Sequence, residues 1–225
     1  MQLASYRATL NRFGIKVVSL PSQNHLPDAV FVEDAAIVLD NVAVMTRPGA
    51  RSRRGELVDV ENALAPFRVL AHITEPATLD GGDVLLVGRR LFVGRSSRTN
   101  DEGIAQLREL VAPHGYDVQA IDVRGCLHLK SAVTAVGNDA LLGNGEWVER
   151  EAFGDVTWIE VDPSEPHAAN ALQIENDVIY PKDYPRTAER LRSFGISLCL
   201  LDASELAKAE GGVTCCSLVL TTNTA

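Results

Sequence analysis

Apolar and polar positions follow one pattern that occurs four times along the chain. Two short apolar strands flank a tight turn, a helix follows, and another apolar strand closes the unit. The predicted turns lie near residues 41, 89, 138 and 177, so they recur after 48, 49 and 39 residues. A period of this length is typical of a radial or stacked array rather than of one open sheet.

The hydrophobic runs also assign boundaries to each unit. Turns are expected at Asp40–Asn41, Arg89–Arg90, Asn138–Asp139 and Asn176–Asp177. Helices are expected over about 53–65, 100–112 and 186–194, with a shorter helical stretch in the third unit. The predicted strands are 35–39, 42–46 and 67–73; 83–88, 91–94 and 117–121; 131–137, 140–143 and 156–161; and 171–175, 178–181 and 196–202.

The two ends of the chain resemble parts of a fifth unit. A helix over residues 1–13 and a strand at KVVSL (16–20) begin the chain, and a lone strand, SLVLT (217–221), ends it. Together they predict a fifth unit that is split across the termini and closes a ring. One hairpin strand of that unit is missing and would precede Met1. The alternative is an unrelated α/β start.

Length and charge narrow the functional classes. A chain of 225 residues, 46% of them hydrophobic, can form one domain over 1–225 with a sizeable core. Its net charge of −9 argues against a nucleic-acid partner and is compatible with a cationic small molecule. No apolar run is long enough to cross a membrane, and the N-terminal helix lacks a signal-peptide core. We therefore expect a cytoplasmic protein without a membrane partner.

The four cysteines are then expected to be reduced thiols. Their spacing matches no zinc pattern, and the lone pair Cys126 and His128 is a weak metal signal. Cys215 and Cys216 stand out, because GGVTCCSL places them after two glycines at a loop–strand junction. A thiolate there could meet a ligand, whereas the alternative is a pair of small buried apolar residues.

A nucleophilic cysteine needs a proton-transfer partner, and His128 in CLHLKSAV is the candidate. Carboxylates precede the first two hairpins and could accept the planar N–H groups of a guanidinium. Two arginines near predicted helix starts could bind a carboxylate. The alternatives are a packed histidine, solvated loop acids and surface arginines. The carboxylates are Asp28, Glu33, Asp34, Asp80 and Asp83, and the arginines are Arg53 and Arg98.

These segments together resemble the dimethylarginine dimethylaminohydrolase family. The matching stretches occur in the family's order: PDAVFVEDAAIV, TRPGARSRRGE, LDGGDVLLVGRRLFVGRSSRTN, LHLKSAV, YPRTAERLRSFG and GGVTCCSL. The resemblance implies a five-bladed α/β propeller of repeated ββαβ units, in agreement with the repeats. It also implies hydrolysis of a methylated arginine to citrulline and a methylamine, without metal or organic cofactor.

Carried over by position, the resemblance implies a role for each candidate. Cys215 would be the nucleophile, His128 the general acid/base and Asp80 the third catalytic group. Glu33 and Asp34 would accept the guanidinium, and Asp28 the α-ammonium group. Arg53 and Arg98 would hold the α-carboxylate. Glu210 stands where relatives commonly carry Asp, five residues before the nucleophile, and is assigned to substrate binding.

The start of the chain and the type of reaction stay open at this stage. Members of the family usually begin some thirty residues earlier, with a strand and a loop that closes over the substrate. Hydrolysis of free arginine, as in arginine deiminases, would use the same groups, although those enzymes are usually longer. A ring that binds cationic amino acids without turnover is the alternative from another class. A small-molecule partner is expected, and a homodimer is compatible with the sequence.

Overall fold

A computed structural model of the protein describes residues 2–137 and 139–221. Within them, four three-stranded sheets repeat one ββαβ pattern, preceded along the chain by helix α1 (Gln2–Arg12). In each sheet the first two strands form an antiparallel hairpin, and the third runs parallel to the second. A parallel neighbour needs a crossover, which a helical segment supplies in each repeat. The predicted α/β class and its four repeats are confirmed.

The described residues group into two compact units. Unit I comprises residues 20–130 and 214–221, and unit II comprises residues 2–19, 131–137 and 139–213. The single domain expected over 1–225 stays a prediction.

Unit I contains the first two sheets. The first sheet consists of β1 (Ala36–Val38), β2 (Val42–Met45) and β3 (Val69–His72), with α2 (Leu57–Leu64) in the crossover. The second consists of β4 (Val84–Val87), β5 (Arg90–Arg95) and β6 (Asp117–Asp122), with α3 (Asp101–Val111). Three 3₁₀ segments of this unit matter for the site: Val32–Ala35, Arg51–Glu56 and Gly81–Asp83.

Unit II contains the other two sheets. Helix α4 (Leu129–Ala132) begins at the end of unit I and leads into β7 (Val133–Gly137), β8 (Ala140–Gly143) and β9 (Thr157–Glu160). The crossover of this sheet holds the short 3₁₀ segment Arg150–Phe153, as the sequence predicts. The last sheet consists of β10 (Leu172–Ile174), β11 (Asp177–Pro181) and β12 (Ser197–Leu201), with α5 (Pro185–Ser193), and α6 (Ser204–Ala207) follows it.

Two of the predicted turns lie one residue earlier than expected. Arg90 and Asp177, predicted as turn residues, pair within the ladders of their hairpins. The turns begin instead at Gly88, with a φ of 58°, and at Glu175, with a φ of 52°. Two-residue hairpin turns often require positive φ, which explains the shift to these residues. The turn at Asp40–Asn41 is confirmed, and Asn138 of the remaining turn lies outside the described residues.

The strands expected at the two ends of the chain are wrong. Residues 16–20 and 217–221 have no strand assignment and enter none of the four sheets. A strand forms only where a neighbouring backbone pairs with it, and no ladder among the described residues includes these segments. Their side chains pack instead, because Leu20, Leu218 and Leu220 lie against the buried cluster that contains Ala43 and Met45. The helix expected over 1–13 is confirmed as α1.

Each unit has its own apolar core. In unit I, the branched side chains of β2 and β5 pack against the buried face of α3, which presents Ile104, Leu107 and Val111. In unit II, the corresponding core joins β8 and β11 to Leu191 of α5. None of the helices in the described part of the chain combines the length and the apolar character that a membrane span needs.

Candidate active site

The structure brings His128 and Asp80 into direct contact. His128 lies just before α4, and Asp80 lies just before the Gly81–Asp83 segment that leads into β4. The histidine Nε2 is 3.1 Å from Asp80 Oδ2, and Asp80 Oδ1 accepts a hydrogen bond from the backbone N–H of Gly49 at 2.9 Å. Asp80 is fully buried, so both of its carboxylate oxygens are fixed within the protein.

The surroundings of His128 favour its charged form. Burial works against a charged imidazole, but the hydrogen bond with Asp80 and the charges of Asp34, Asp83 and Asp80 outweigh it. The net effect raises the pKa of His128. A histidine whose pKa is raised by carboxylates can hold a proton near neutral pH and donate it to a leaving group.

Gly82 lets Asp34 approach this pair. Its backbone N–H donates to Asp34 Oδ1 at 2.8 Å. A Cβ atom at this position would lie 2.6 Å from Asp34 Oδ1 and 2.9 Å from His128 Nδ1. Both distances are shorter than a Cβ atom can have to its neighbours, so one of these side chains would have to move. There is therefore no space for a side chain at the second glycine of LDGGDV. With glycine there, Asp34 Oδ1 lies 3.9 Å from His128 Nε2.

Asp34 also belongs to a buried ionic cluster with Arg53 and Glu56. Nη1 of Arg53 lies 2.5 Å from Asp34 Oδ2, and Nη2 lies 2.8 Å from Glu56 Oε2. Nη2 donates as well to the carbonyl oxygen of Phe31 at 3.0 Å. All three charged residues are buried. Burial would raise the pKa of Asp34, but the charges of His128 and Arg53 lower it overall, whereas burial raises the pKa of Glu56.

Glu33 is held by Lys130 and Thr214. Lys130 Nζ lies 2.6 Å from Glu33 Oε1, and the hydroxyl of Thr214 donates to Glu33 Oε2 at 2.6 Å. The backbone N–H of Glu33 donates to the carbonyl oxygen of Cys215 at 3.1 Å. These contacts connect the acidic pair of FVED to the segment that carries the two cysteines.

The two cysteines have different surroundings. Sγ of Cys215 lies 3.9 Å from the hydroxyl oxygen of Thr214, which itself bonds to Glu33. For Cys216, burial and the charge of Glu33 raise the pKa of the thiol to about 12. A thiol with so high a pKa stays neutral and is a poor nucleophile.

The remaining candidates differ in position. Nη1 of Arg98 is buried and has no hydrogen-bond partner among the described residues. Asp28 is half-buried, and its charge contributes to the raised pKa of Glu56. These two residues belong to unit I, as do all three catalytic candidates. Glu210 belongs to unit II, where it is exposed and has a φ of 58°.

Three residues of the cluster were missed by the sequence interpretation: Glu56, Lys130 and Thr214. All three lie inside the stretches that carry the family resemblance. Glu56 follows Arg53 by three residues, a spacing that places two side chains on one side of a helical turn. Lys130 and Thr214 have no such local signal, because their common partner Glu33 is distant in sequence.

Asp34, Asp80 and His128 are also close enough to share a cation, since one donor atom of each lies within 4.8 Å of the others. However, Asp80 Oδ2 and His128 Nε2 bond to each other, and Asp34 Oδ1 already accepts from Gly82. These potential ligand atoms thus bond to one another or to the backbone, and they do not point at a common centre. This geometry favours a hydrogen-bonded His128–Asp80 pair over a metal site.

Among known proteins, the chain is similar to members of one family over most of its length. The family model described as N,N dimethylarginine dimethylhydrolase, eukaryotic, matches residues 2–151. A dimethylarginine dimethylaminohydrolase of Pseudomonas aeruginosa is 36% identical over 216 residues, which cover 95% of this chain and 85% of the relative. The chain belongs to the dimethylarginine dimethylaminohydrolase family. A family member from Streptomyces coelicolor is 40% identical, over 97% of this chain and 84% of the relative.

Solved structures extend the comparison to the fold. A mutant of the Pseudomonas aeruginosa enzyme in complex with citrulline, with one cysteine replaced by serine, has a TM-score of 0.92 and 34% identity. The match covers 96% of this chain and 85% of that one. An amidinotransferase from Microseira wollei has a TM-score of 0.89 at 17% identity, over 100% of this chain and 83% of that one, and shares the fold alone. The family predicted from the sequence motifs is confirmed.

Proposed function

We propose that the chain hydrolyses Nω-methylated L-arginine, as asymmetric dimethylarginine or monomethylarginine, to L-citrulline and dimethylamine or methylamine. The family relatives carry the name of this activity, and a related enzyme binds citrulline. The observation that carries the proposal is the buried His128–Asp80 pair, in the same unit as Cys215 and the paired acids Glu33 and Asp34.

The charge balance of the cluster suits a cationic substrate. Six carboxyl groups stand against four basic side chains, His128 included, so acidic groups are in excess, although burial raises the pKa of two of them, Glu56 and Asp83. Buried charges that lack partners are costly, and a cation entering this cluster relieves that imbalance. The carboxylates are Asp28, Glu33, Asp34, Glu56, Asp80 and Asp83, and the other basic side chains are Arg53, Arg98 and Lys130.

In the first half of the reaction, Glu33 and Asp34 hold the guanidinium group flat and charged. The thiolate of Cys215 attacks its central carbon, a C–S bond forms, and one C=N π bond moves onto nitrogen. His128 donates its proton to the methylated nitrogen, and the C–N bond breaks with release of the amine. Asp80 supports the charged imidazole before this transfer. A thiouronium group on Cys215 remains.

In the second half, neutral His128 takes a proton from water. The resulting hydroxide attacks the thiouronium carbon, and the C–S bond breaks as the C=O bond forms, which restores the thiolate of Cys215. The hydroxyl proton passes to solvent, where the released amine takes it up, and citrulline leaves. A positioned general acid/base contributes about 10²–10⁴-fold to such steps. The thiolate forms only when substrate is bound, because the substrate's own positive charge lowers the pKa of a nearby thiol.

We assign the α-carboxylate of the substrate mainly to Arg98. Its buried Nη1 lacks a partner among the described residues, and a carboxylate supplies the bidentate acceptor that a guanidinium needs. Arg53 directs most of its N–H groups to Asp34, Glu56 and backbone carbonyls, so it orients Asp34 and has little left for a carboxylate. Asp28 is assigned to the α-ammonium group and Glu210 to substrate binding.

We also propose that the four sheets are blades of a five-bladed α/β propeller, whose fifth blade is split across the termini. Among the described residues that blade would consist of α1 and the unpaired segments 16–20 and 217–221, which form no strands. The ββαβ repeat within each sheet and the similarity to amidinotransferase structures support the propeller. The homodimer and the cytoplasmic location stay predictions of the sequence.

The test is a parallel assay for citrulline or its analogue from asymmetric dimethylarginine, arginine and agmatine. The proposal expects dimethylarginine to give equal amounts of citrulline and dimethylamine, with little turnover of agmatine, which lacks the carboxylate. Preference for arginine would instead indicate deimination, and binding without product would indicate a non-catalytic binder. Efficient turnover of agmatine would contradict the role of Arg98.

A further inference from the structure

One buried carboxylate that the mechanism leaves unused joins three parts of the site. Asp83 is fully buried and accepts three hydrogen bonds. Its Oδ1 accepts from the backbone N–H of Leu129 at 2.9 Å. Its Oδ2 accepts from the hydroxyls of Ser96 and Thr99, at 2.6 and 2.7 Å.

The direction of these hydrogen bonds follows from the neighbours of the two hydroxyls. Ser96 Oγ lies 3.0 Å from the backbone nitrogen of Arg98, and Thr99 Oγ1 lies 3.2 Å from that of Asp80. A backbone N–H can only donate, so each hydroxyl accepts there and has its single proton left for Asp83. Asp83 is then the acceptor in all three contacts. Burial raises the pKa of its carboxyl group, whereas the charge of His128 and these three donors favour the ionised form.

Through these contacts Asp83 reaches the backbone of three functional segments. Leu129 directly follows His128, and the two hydroxyls continue the connection to the backbones of Arg98 and Asp80. We infer that Asp83 is a positioning residue, which holds His128, Asp80 and Arg98 in their working arrangement. This inference rests on the roles proposed above for those three residues.

The packing around Asp83 keeps the connection rigid. A Cβ atom at Gly94 would come within 2.9 Å of Asp83 Oδ1 and 3.0 Å of the Leu129 Cβ atom. The backbone of β5 therefore lies directly against the hydrogen bond between Asp83 and Leu129. No ion pair among the described residues includes Asp83, so its charge is balanced by these donors and by the nearby imidazole.

The charge of Asp83 also acts on His128. Three carboxylates raise the pKa of this histidine: Asp80, Asp34 and Asp83. Asp34 shares its charge with Arg53, whereas Asp83 has no basic side chain of its own among the described residues. Loss of the Asp83 charge should therefore lower the pKa of His128.

The experiment compares Asp83→Asn with Asp162→Asn. Asp162 is the control in unit II. Its carboxylate also accepts from a hydroxyl and from a backbone N–H, both of Ser164, at 2.6 and 3.0 Å, and in addition it pairs with Arg190 at 3.0 Å. The titration of His128 is followed by NMR without substrate, and kcat and KM are measured with dimethylarginine. In Asp83→Asn we expect the His128 titration to move to lower pH and kcat to fall about 10²-fold, as small displacements of catalytic groups can cause. Asp162→Asn should change neither.

Two further variants separate position from charge, and they serve if Asp83→Asn does not fold. Thr99→Val removes the connection to Asp80 but keeps the Asp83 charge, so kcat should fall while the His128 titration stays in place. Ser96→Ala removes the connection to Arg98, so KM should rise more than kcat falls. Wild-type titration and kinetics in Asp83→Asn, or wild-type kinetics in both hydroxyl variants, would overturn the inference. Absence of citrulline from the wild type would instead contradict the proposed function and leave the titration result valid.

Discussion

The two compact units share a repeat but differ in what they bury. Each contains two ββαβ sheets with an apolar core. Among the described residues, the buried polar side chains of unit II are all uncharged, whereas unit I buries seven acidic or basic ones. Those of unit II are Thr9, Thr134, Asn144 and Thr187, and those of unit I are Glu33, Asp34, Arg53, Glu56, Asp80, Asp83 and His128.

This difference separates what the fold needs from what the chemistry needs. Thr134 in unit II shows the structural use of a buried polar group, because its hydroxyl donates to the carbonyl of Ala169 at 2.6 Å and accepts from the N–H of Ala171 at 3.1 Å. In the part that the structure describes, unit II thus forms the same repeat without buried charge. Buried ion pairs seldom add net stability over apolar residues of equal volume. The charges of unit I are therefore better explained by function than by folding.

The largest expected effect concerns the nucleophile. Cys215→Ser should abolish detectable turnover, because a serine hydroxyl is not ionised under the conditions in which a thiolate forms. Cys216→Ser should keep most of the activity, since its thiol, with a pKa raised to about 12, is neutral. Steady-state kinetics with both variants measures the difference. Equal loss in the two would remove the distinction between the cysteines.

The next largest effect is on kcat, and it is expected for a histidine of unit I but not for one of unit II. His128→Ala should lower kcat by about 10³-fold, within the usual range for a general acid/base, and Asp80→Asn by a smaller factor. His167→Ala in unit II, where the ring packs 5.0 Å from Trp147, should leave kcat near the wild-type value. The assay is citrulline formation at saturating dimethylarginine. Near-normal kcat in Asp80→Asn would exclude Asp80 from the catalytic group.

A third comparison takes one buried substitution from each unit and measures its effect on stability and on activity. Arg53→Met should reduce the free energy of unfolding by about 3–5 kcal/mol, because it leaves Asp34 and Glu56 buried without their cation. Thr134→Val should reduce it by about 1–3 kcal/mol, because a backbone donor and acceptor lose their partner. Urea unfolding measures both values.

Activity then distinguishes the two variants. Only Arg53→Met should lower kcat/KM in the folded protein, since Asp34 loses its orientation. A Thr134→Val variant with an equal loss of kcat/KM would mean that buried polar groups of both units serve the reaction alike.

The smallest effect is the pH dependence of stability. The lowered pKa of Asp34 contributes stability above its ordinary value of 3.8, and this stability is lost as pH falls through the folded-state pKa. The raised pKa of His128 contributes stability below its ordinary value of 6.5, and this is lost as pH rises through the folded-state pKa. Urea unfolding across pH should show both losses, and His128→Gln should remove the second. If His128→Gln still lost the same stability as pH rises, that loss would come from another group.

Local patterns in the sequence predicted the repeats and most of the site, but not contacts between distant segments. The two short apolar runs that mark β4 and β5, on either side of a polar turn, are sufficient to predict their hairpin, because the pairing is local. The strands expected at 16–20 and 217–221 have the same apolar character, yet strand formation depends on a neighbour that no local pattern reveals. The motifs located His128 and Asp80, whereas the contact of Lys130 with Glu33 joins residues 97 positions apart.

The central claim is that the charged cluster of unit I serves covalent catalysis at Cys215. Acid quenching during turnover of asymmetric dimethylarginine, followed by peptide mass spectrometry, tests it most directly. We predict an adduct on Cys215 whose added mass equals dimethylarginine less dimethylamine, formed in Cys216→Ser and absent in Cys215→Ser. An adduct on Cys216 alone, or citrulline formed in Cys215→Ser at the wild-type rate, would contradict the account.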